Sequence, residues 1–184
     1  QSYYDHFEDD TGWVANNGVS AGYQSGDRTS TITVTTTLAV ANGSIQNFVN
    51  GNAPTDNSHG ASDGYYWNNG TNNVAAKEVK FQWASAQTIT GARVLSANSD
   101  SQGTWKWQGS NNNSDWTDIG SNFDFDTGAD RVWDDTFGSE LNGNTTAYTY
   151  YRMYGVSGST NGSTWWIEIE FGTGTHYANG LGTD

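Results

Sequence analysis

Cysteine is absent from this 184-residue chain, and proline and methionine occur once each. Without thiols there is no disulfide scaffold, no thiolate zinc site and no cysteine nucleophile, although the redox compartment stays open. Positive charge is also scarce: seven Lys and Arg stand against twenty Asp and Glu, for a net charge of −13. Nucleic-acid binding requires clustered cations, and Arg28, Lys77, Lys80, Arg93, Lys106, Arg131 and Arg152 are scattered along the chain. The same balance repels anionic lipid surfaces. No apolar run approaches the ~20 residues of a membrane span, so membrane insertion is not expected. The chain starts at Gln1 with neither Met nor a signal-peptide pattern, and reads as a processed form or an excised piece.

Hydrophobic residues make up 34% and charged residues 15%, both low for a globular chain. Aromatic residues offset this. Nine Trp, ten Tyr and seven Phe form 14% of the sequence and supply enough apolar surface for a core.

The dominant period is two. Ile32, Val34, Leu38 and Val40 alternate with Thr33, Thr35, Thr37 and Ala39. Val79, Phe81 and Trp83 alternate with Lys80 and Gln82, Trp105 and Trp107 flank Lys106, and Tyr151 and Met153 flank Arg152. Trp165, Ile167, Ile169 and Phe171 alternate with Trp166, Glu168 and Glu170. Half-buried antiparallel strands read this way. Asn-Gly pairs at Asn17, Asn42, Asn50, Asn69, Asn142, Asn161 and Asn179 suit two-residue hairpin turns. No helical stripe with caps is present. The expectation is an all-β sandwich or barrel. Residues 1–41 read as an N-terminal extension plus first strand, 42–171 as the sandwich, and 172–184 as a polar Gly/Thr-rich tail.

Five segments carry a family resemblance. Gln46-Asn47-Phe48-Val49-Asn50-Gly51-Asn52 resembles an early N-x-x-D-G-N loop. Val79 to Trp83 and Ala86 to Val94 look like paired central strands. Trp107-Gln108-Gly109-Ser110-Asn111, closed by Trp116, resembles an L-Q-G-S-N-D-G-x-x-W hairpin. Ala147 to Tyr154 and Ile167 to Phe171 look like the closing strands. In this order, over about residues 42–171, they resemble the discoidin-like, coagulation-factor C-type family. The resemblance implies an antiparallel jelly-roll β-sandwich of the galactose-binding-domain-like kind, a fold that hosts many carbohydrate-binding modules and other functions.

It also implies a structural calcium ion beside the early loop, held by loop oxygens and a last-strand Glu. The corresponding residues are Asn47, Asn50, Asn52, Thr55 and Glu168. Asn50 stands where the family has Asp, which removes a carboxylate, and Asp56 is a compensating candidate. The alternative is a metal-free Asn-Gly turn with Glu168 hydrogen-bonded to loop amides.

Sugar rings present apolar faces that stack on Trp or Tyr, while their hydroxyls need polar partners. Tyr65, Tyr66 and Trp67 sit in a Gly/Asn-rich insertion with His59 and Asp63 nearby, and Trp133 and Trp165 adjoin other loops. Trp83, Trp105 and Trp107 lie on strand alternation and belong to the core. Asp124, Asp126, Asp130, Asp134 and Asp135 read as a solvated acidic surface. No nucleophile elbow, zinc-binding His-Glu-x-x-His or phosphate loop is present, so no enzyme is expected. The reading is a non-catalytic, lectin-like module attaching a larger protein or particle to polysaccharide outside the cell or on a cell or virion surface. The alternative is a structural or adhesion component of a virus particle or surface assembly, whose residues 1–30 contact neighbouring subunits.

Overall fold

The computed structural model describes residues 22–56, 60, 62–67, 72–97, 101–126, 130–160 and 164–173, with 65–67 and 126 as backbone. Nine strands follow in order: β1 (Ile32–Thr36), β2 (Val40–Gly43), β3 (Tyr65–Trp67), β4 (Glu78–Gln87), β5 (Gly91–Ala97), β6 (Ser101–Ser110), β7 (Thr117–Asp126), β8 (Tyr148–Ser157) and β9 (Trp165–Gly172). They form a five-stranded sheet, β1-β4-β8-β6-β7, and a four-stranded sheet, β2-β3-β9-β5. Every strand pairing is antiparallel. This is the expected sandwich.

The period-two pattern works because one face of each sheet turns inward. Val79, Phe81 and Trp83 from β4, Trp105 and Trp107 from β6, and Tyr151 and Met153 from β8 are all buried. They meet Val94, Trp166, Ile169 and Phe171 from the opposite sheet. Aromatic rings take the place of scarce aliphatics. Phe125 and Trp166 lie 4.5 Å apart between centroids, Phe81 and Phe171 4.9 Å, and Trp83 and Phe171 5.1 Å. Tilted and edge-on pairs of this kind add to the burial itself. The indole N–H groups of Trp105 and Trp166 donate to the backbone and side-chain oxygens of Gln102, at 2.8 and 3.1 Å.

Three local readings are corrected. The first alternating run is two strands. It breaks at 37–39, where the Thr36 hydroxyl donates to the Glu78 carbonyl and accepts from the Leu38 N–H. Leu38 is buried within the break and Val40, beyond it, is exposed. Second, Trp166 rather than Trp165 enters the main core. A register shift between Leu95 and Ser96 interrupts the alternation opposite β9, and a bulge exchanges the faces of the residues beyond it. Third, the described Asn-Gly pairs do not close hairpins. Asn42 and Gly43 lie within β2, while Asn50 and Asn142 cap the 3-10 turns Ile45–Val49 and Ser139–Leu141. The β6–β7 connection turns instead through Asn113, at φ 60°.

Residues ahead of β1 join the sandwich. Tyr23 bridges Gly172 at the end of β9, and the Gln24 N–H donates to the Phe171 carbonyl at 2.8 Å. Residues 1–21 and 174–184, which include most of the expected arm and tail, lie outside the described residues.

Candidate functional site

The early loop is built around a buried ion pair. The 3-10 turn Ile45–Val49 starts at Ser44, whose hydroxyl accepts the Gln46 N–H, and ends at Asn50. Gly51 follows at φ 79°, a conformation that favours glycine. Its N–H donates to Glu168 Oε2 at 3.1 Å. The other Glu168 oxygen pairs with Arg28 Nη2, which also donates to the Ile169 carbonyl at 2.6 Å. Arg28 is 6% exposed and Glu168 is fully buried. Burial is the largest influence on both groups. It lowers the Arg28 pKa and raises that of Glu168, while Arg28 and the Gly51 N–H pull Glu168 back down.

The loop's asparagines reach the other way, towards the segment entering β3. Asn47 Nδ2 donates to the Gly64 carbonyl at 3.1 Å. Asn50 Nδ2 donates to the Ser62 carbonyl at 2.7 Å, and Asn52 Nδ2 contacts the same oxygen at 3.5 Å. Asn50 Oδ1 accepts the Asn52 N–H at 2.9 Å. Asp63 closes its own turn: its carboxylate accepts the Gly60 N–H, and its N–H donates to the Gly60 carbonyl. Tyr65, Tyr66 and Trp67 are not in a loop, as the insertion reading had them. Their backbone forms β3, with Tyr65 opposite Trp166 and Tyr66 opposite Trp165 on β9. Asn47, Asn50 and Asn52, expected as metal ligands, therefore tie the early loop to the approach to β3.

These residues do not fit a divalent cation. Hard cations need several converging oxygens. Here the nitrogen ends of the Asn47 and Asn50 amides are aimed at backbone carbonyls, and both Glu168 oxygens are engaged. Thr55 is exposed. Among the described residues no three His, Asp or Glu side chains converge on one point. The metal-free alternative accounts for the Glu168–Gly51 contact, and Arg28 adds to it.

On the face of β5 and β9 away from the main core, Leu95, Ala97 and Ile167 form a second, smaller apolar cluster. Half-buried Trp133 and Trp165 pack against it, together with Ala53. The Arg93 guanidinium is held by Glu170, with Nη2 at 2.6 Å from the carboxylate. It lies 4.4 Å from the Trp133 ring centre and 4.8 Å from that of Tyr23. Two of the expected glycan-stacking residues thus meet on one patch, and Trp165 adjoins β3. Both are packed side chains rather than free loop platforms. Val132 beside them is 56% exposed. His59 lies outside the described residues.

Of the acidic surface, Asp124 accepts the Thr104 hydroxyl and Asp134 accepts from Thr136. Trp116 lies over Arg152, 3.9 Å from ring centre to guanidinium carbon. Sequence reasoning missed Arg28 and Arg93. Arg28 is 140 residues from Glu168, a separation that no local spacing reveals.

No protein-family model matches the chain, and no curated protein matches it. Solved structures do. A CBM32 module of AlyQ, solved with 4,5-unsaturated mannuronic acid, is 16% identical with TM-score 0.52, over 77% of this chain and 94% of that one. CBM32-3 from a family 31 glycoside hydrolase of Clostridium perfringens is 14% identical with TM-score 0.54, over 79% and 93%. CBM32-1 from a family 31 glycoside hydrolase of the same organism is 10% identical with TM-score 0.50, over 76% and 92%. The chain shares the discoidin-like β-sandwich fold of these modules. No helix among the described residues is long and apolar enough to cross a membrane.

Proposed function

We propose that the protein is a non-catalytic glycan-binding module acting outside the cell or at its surface. The observation that carries this reading is the apolar cluster against which both Trp133 and Trp165 pack, with Trp165 opposite Tyr66 of β3. Half-buried indoles held by packing lose little freedom when a sugar ring stacks on them. Asp63 and the Asn-rich approach to β3 add hydroxyl partners. The carbohydrate-binding neighbours support the same reading, one of them having been solved with an unsaturated uronic acid. The net charge of −13 favours uncharged, hydroxyl-rich saccharides over polyanions. Single sites of this type are weak, so attachment relies on several copies or sites.

A panel of immobilised glycans probed with the whole chain tests the proposal. The expected result is binding to one or more neutral saccharides, weakened about tenfold, or about 1.4 kcal/mol, by Trp133→Ala and by Trp165→Ala. Binding that neither substitution alters would overturn the site, and a panel with no binding would overturn the function.

A further inference from the structure

We propose that the Arg28 guanidinium is a built-in cation: it orders the early loop against Glu168, so the fold needs no divalent metal there.

Five observations carry this. Arg28 is anchored to the loop by its own backbone, its N–H donating to the Val49 carbonyl at 2.9 Å. Its side chain is spread over three acceptors from two places in the chain: the Gly26 carbonyl through Nε, and Glu168 and the Ile169 carbonyl of β9 through Nη2. A planar, permanently charged fork suits this arrangement, whereas a lysine would present a single point charge. The segment carrying Arg28 also lies directly on the loop. A Cβ built on Gly51 would sit 2.4 Å from the Gly26 carbonyl carbon and 2.5 Å from the Asp27 nitrogen, so that flank is filled by protein.

The fourth observation is the orientation of the loop amides. Asn47 and Asn50 use their NH2 groups as clamps on the Gly64 and Ser62 carbonyls. The oxygen end of Asn50 is engaged as well, by the Asn52 N–H, so a metal drawing on it would have to share that atom. The fifth is charge. The Arg28 cation already lies against the Glu168 carboxyl group. A divalent ion added beside them would place like charges together where screening is poor.

Loss of Arg28 alone strands a buried carboxylate, which is strongly destabilising. Loss of both charges together removes that penalty. The proposal is thus a statement about coupling, and it holds whether or not the protein binds glycans.

The test is thermal unfolding of the purified whole chain in calcium and in EGTA, with elemental analysis of the dialysed protein. The expected result is one melting midpoint in both buffers and no retained calcium. Arg28→Met is expected to lower the midpoint sharply, and Arg28→Met combined with Glu168→Gln to recover part of that loss. A midpoint that rises saturably with calcium, or calcium retained stoichiometrically, would overturn the proposal. So would losses from the two single substitutions that simply add in the double variant. If Arg28→Met does not fold, the calcium titration of the unaltered chain and the double variant still decide the matter.

Discussion

At the scale of single residues, buried polar groups carry the most specific demands. The Tyr151 hydroxyl donates to the Gln87 carbonyl at 2.7 Å. It accepts from the Ile89 N–H at 3.1 Å and from Asn144 Nδ2 at 3.0 Å. Tyr151→Phe leaves the buried Ile89 N–H short of a partner, at a cost of about 1–3 kcal/mol, while Asn144 Nδ2 keeps the Ile89 and Thr146 carbonyls. Urea unfolding should show a loss of that size. The same residue sets an alkaline limit. Burial raises the Tyr151 pKa above its ordinary value of 10.0, with the hydrogen bonds from Ile89 and Asn144 pulling down. Tyr23 is raised as well, first by burial and then by Asp135. A raised folded-state pKa means that stability is complete below the unfolded value and is lost as pH rises through the folded one. The urea midpoint should therefore fall above pH 10, and fall less steeply in Tyr151→Phe.

At the scale of elements, the β6–β7 hairpin shows why its motif was legible. Gly109 is required because Tyr148 covers it; an added Cβ would lie 2.3 Å from the ring. The Ser110 hydroxyl accepts the Asn112 and Asn113 N–H groups. Asn111 donates to the Ala147 carbonyl and accepts the Thr149 N–H, so its side chain extends the contact with the start of β8. Gly109→Ala should cost about 1–3 kcal/mol through overpacking, measurable as a lower denaturant midpoint. The approach to β3 depends on longer reach. Asn50→Ala removes its clamp on Ser62, worth about 0.5–1.5 kcal/mol, and should speed amide exchange at residues 62–67 while leaving β4 and β8 protected. The family resemblance carried the hairpin, whose two strands adjoin along the chain. The two-residue period carried the alternating strands because it is a property of each strand alone, even where the partner is as distant as β8 is from β4. Local spacing misread the Asn-Gly pairs, whose backbone serves equally to end a 3-10 turn. It missed the break at 37–39, where the Thr36 hydroxyl takes over a backbone bond.

At the scale of the whole molecule, the surplus of aromatics divides in two. Trp105, Trp107 and Trp166 fill the space between the sheets. Trp133 and Trp165 lie on the smaller cluster behind β5 and β9. Sequence alone supplied these two as candidates, but only the pairing of β5 with β9 brings them together. Arg28 and Glu168 were illegible as a pair for the same reason. An uncharged ligand on the patch should bind with little dependence on ionic strength, since no ion pairs form; repeating the binding measurement across a salt series checks this. The most direct measurement follows the nine indole N–H resonances by NMR while the best saccharide from the panel is titrated. The expected result is that the Trp133 and Trp165 signals shift saturably while those of Trp105, Trp107 and Trp166 stay in place. Saturable shifts confined to other indoles, or none at all, would contradict the glycan-binding site assigned to this patch.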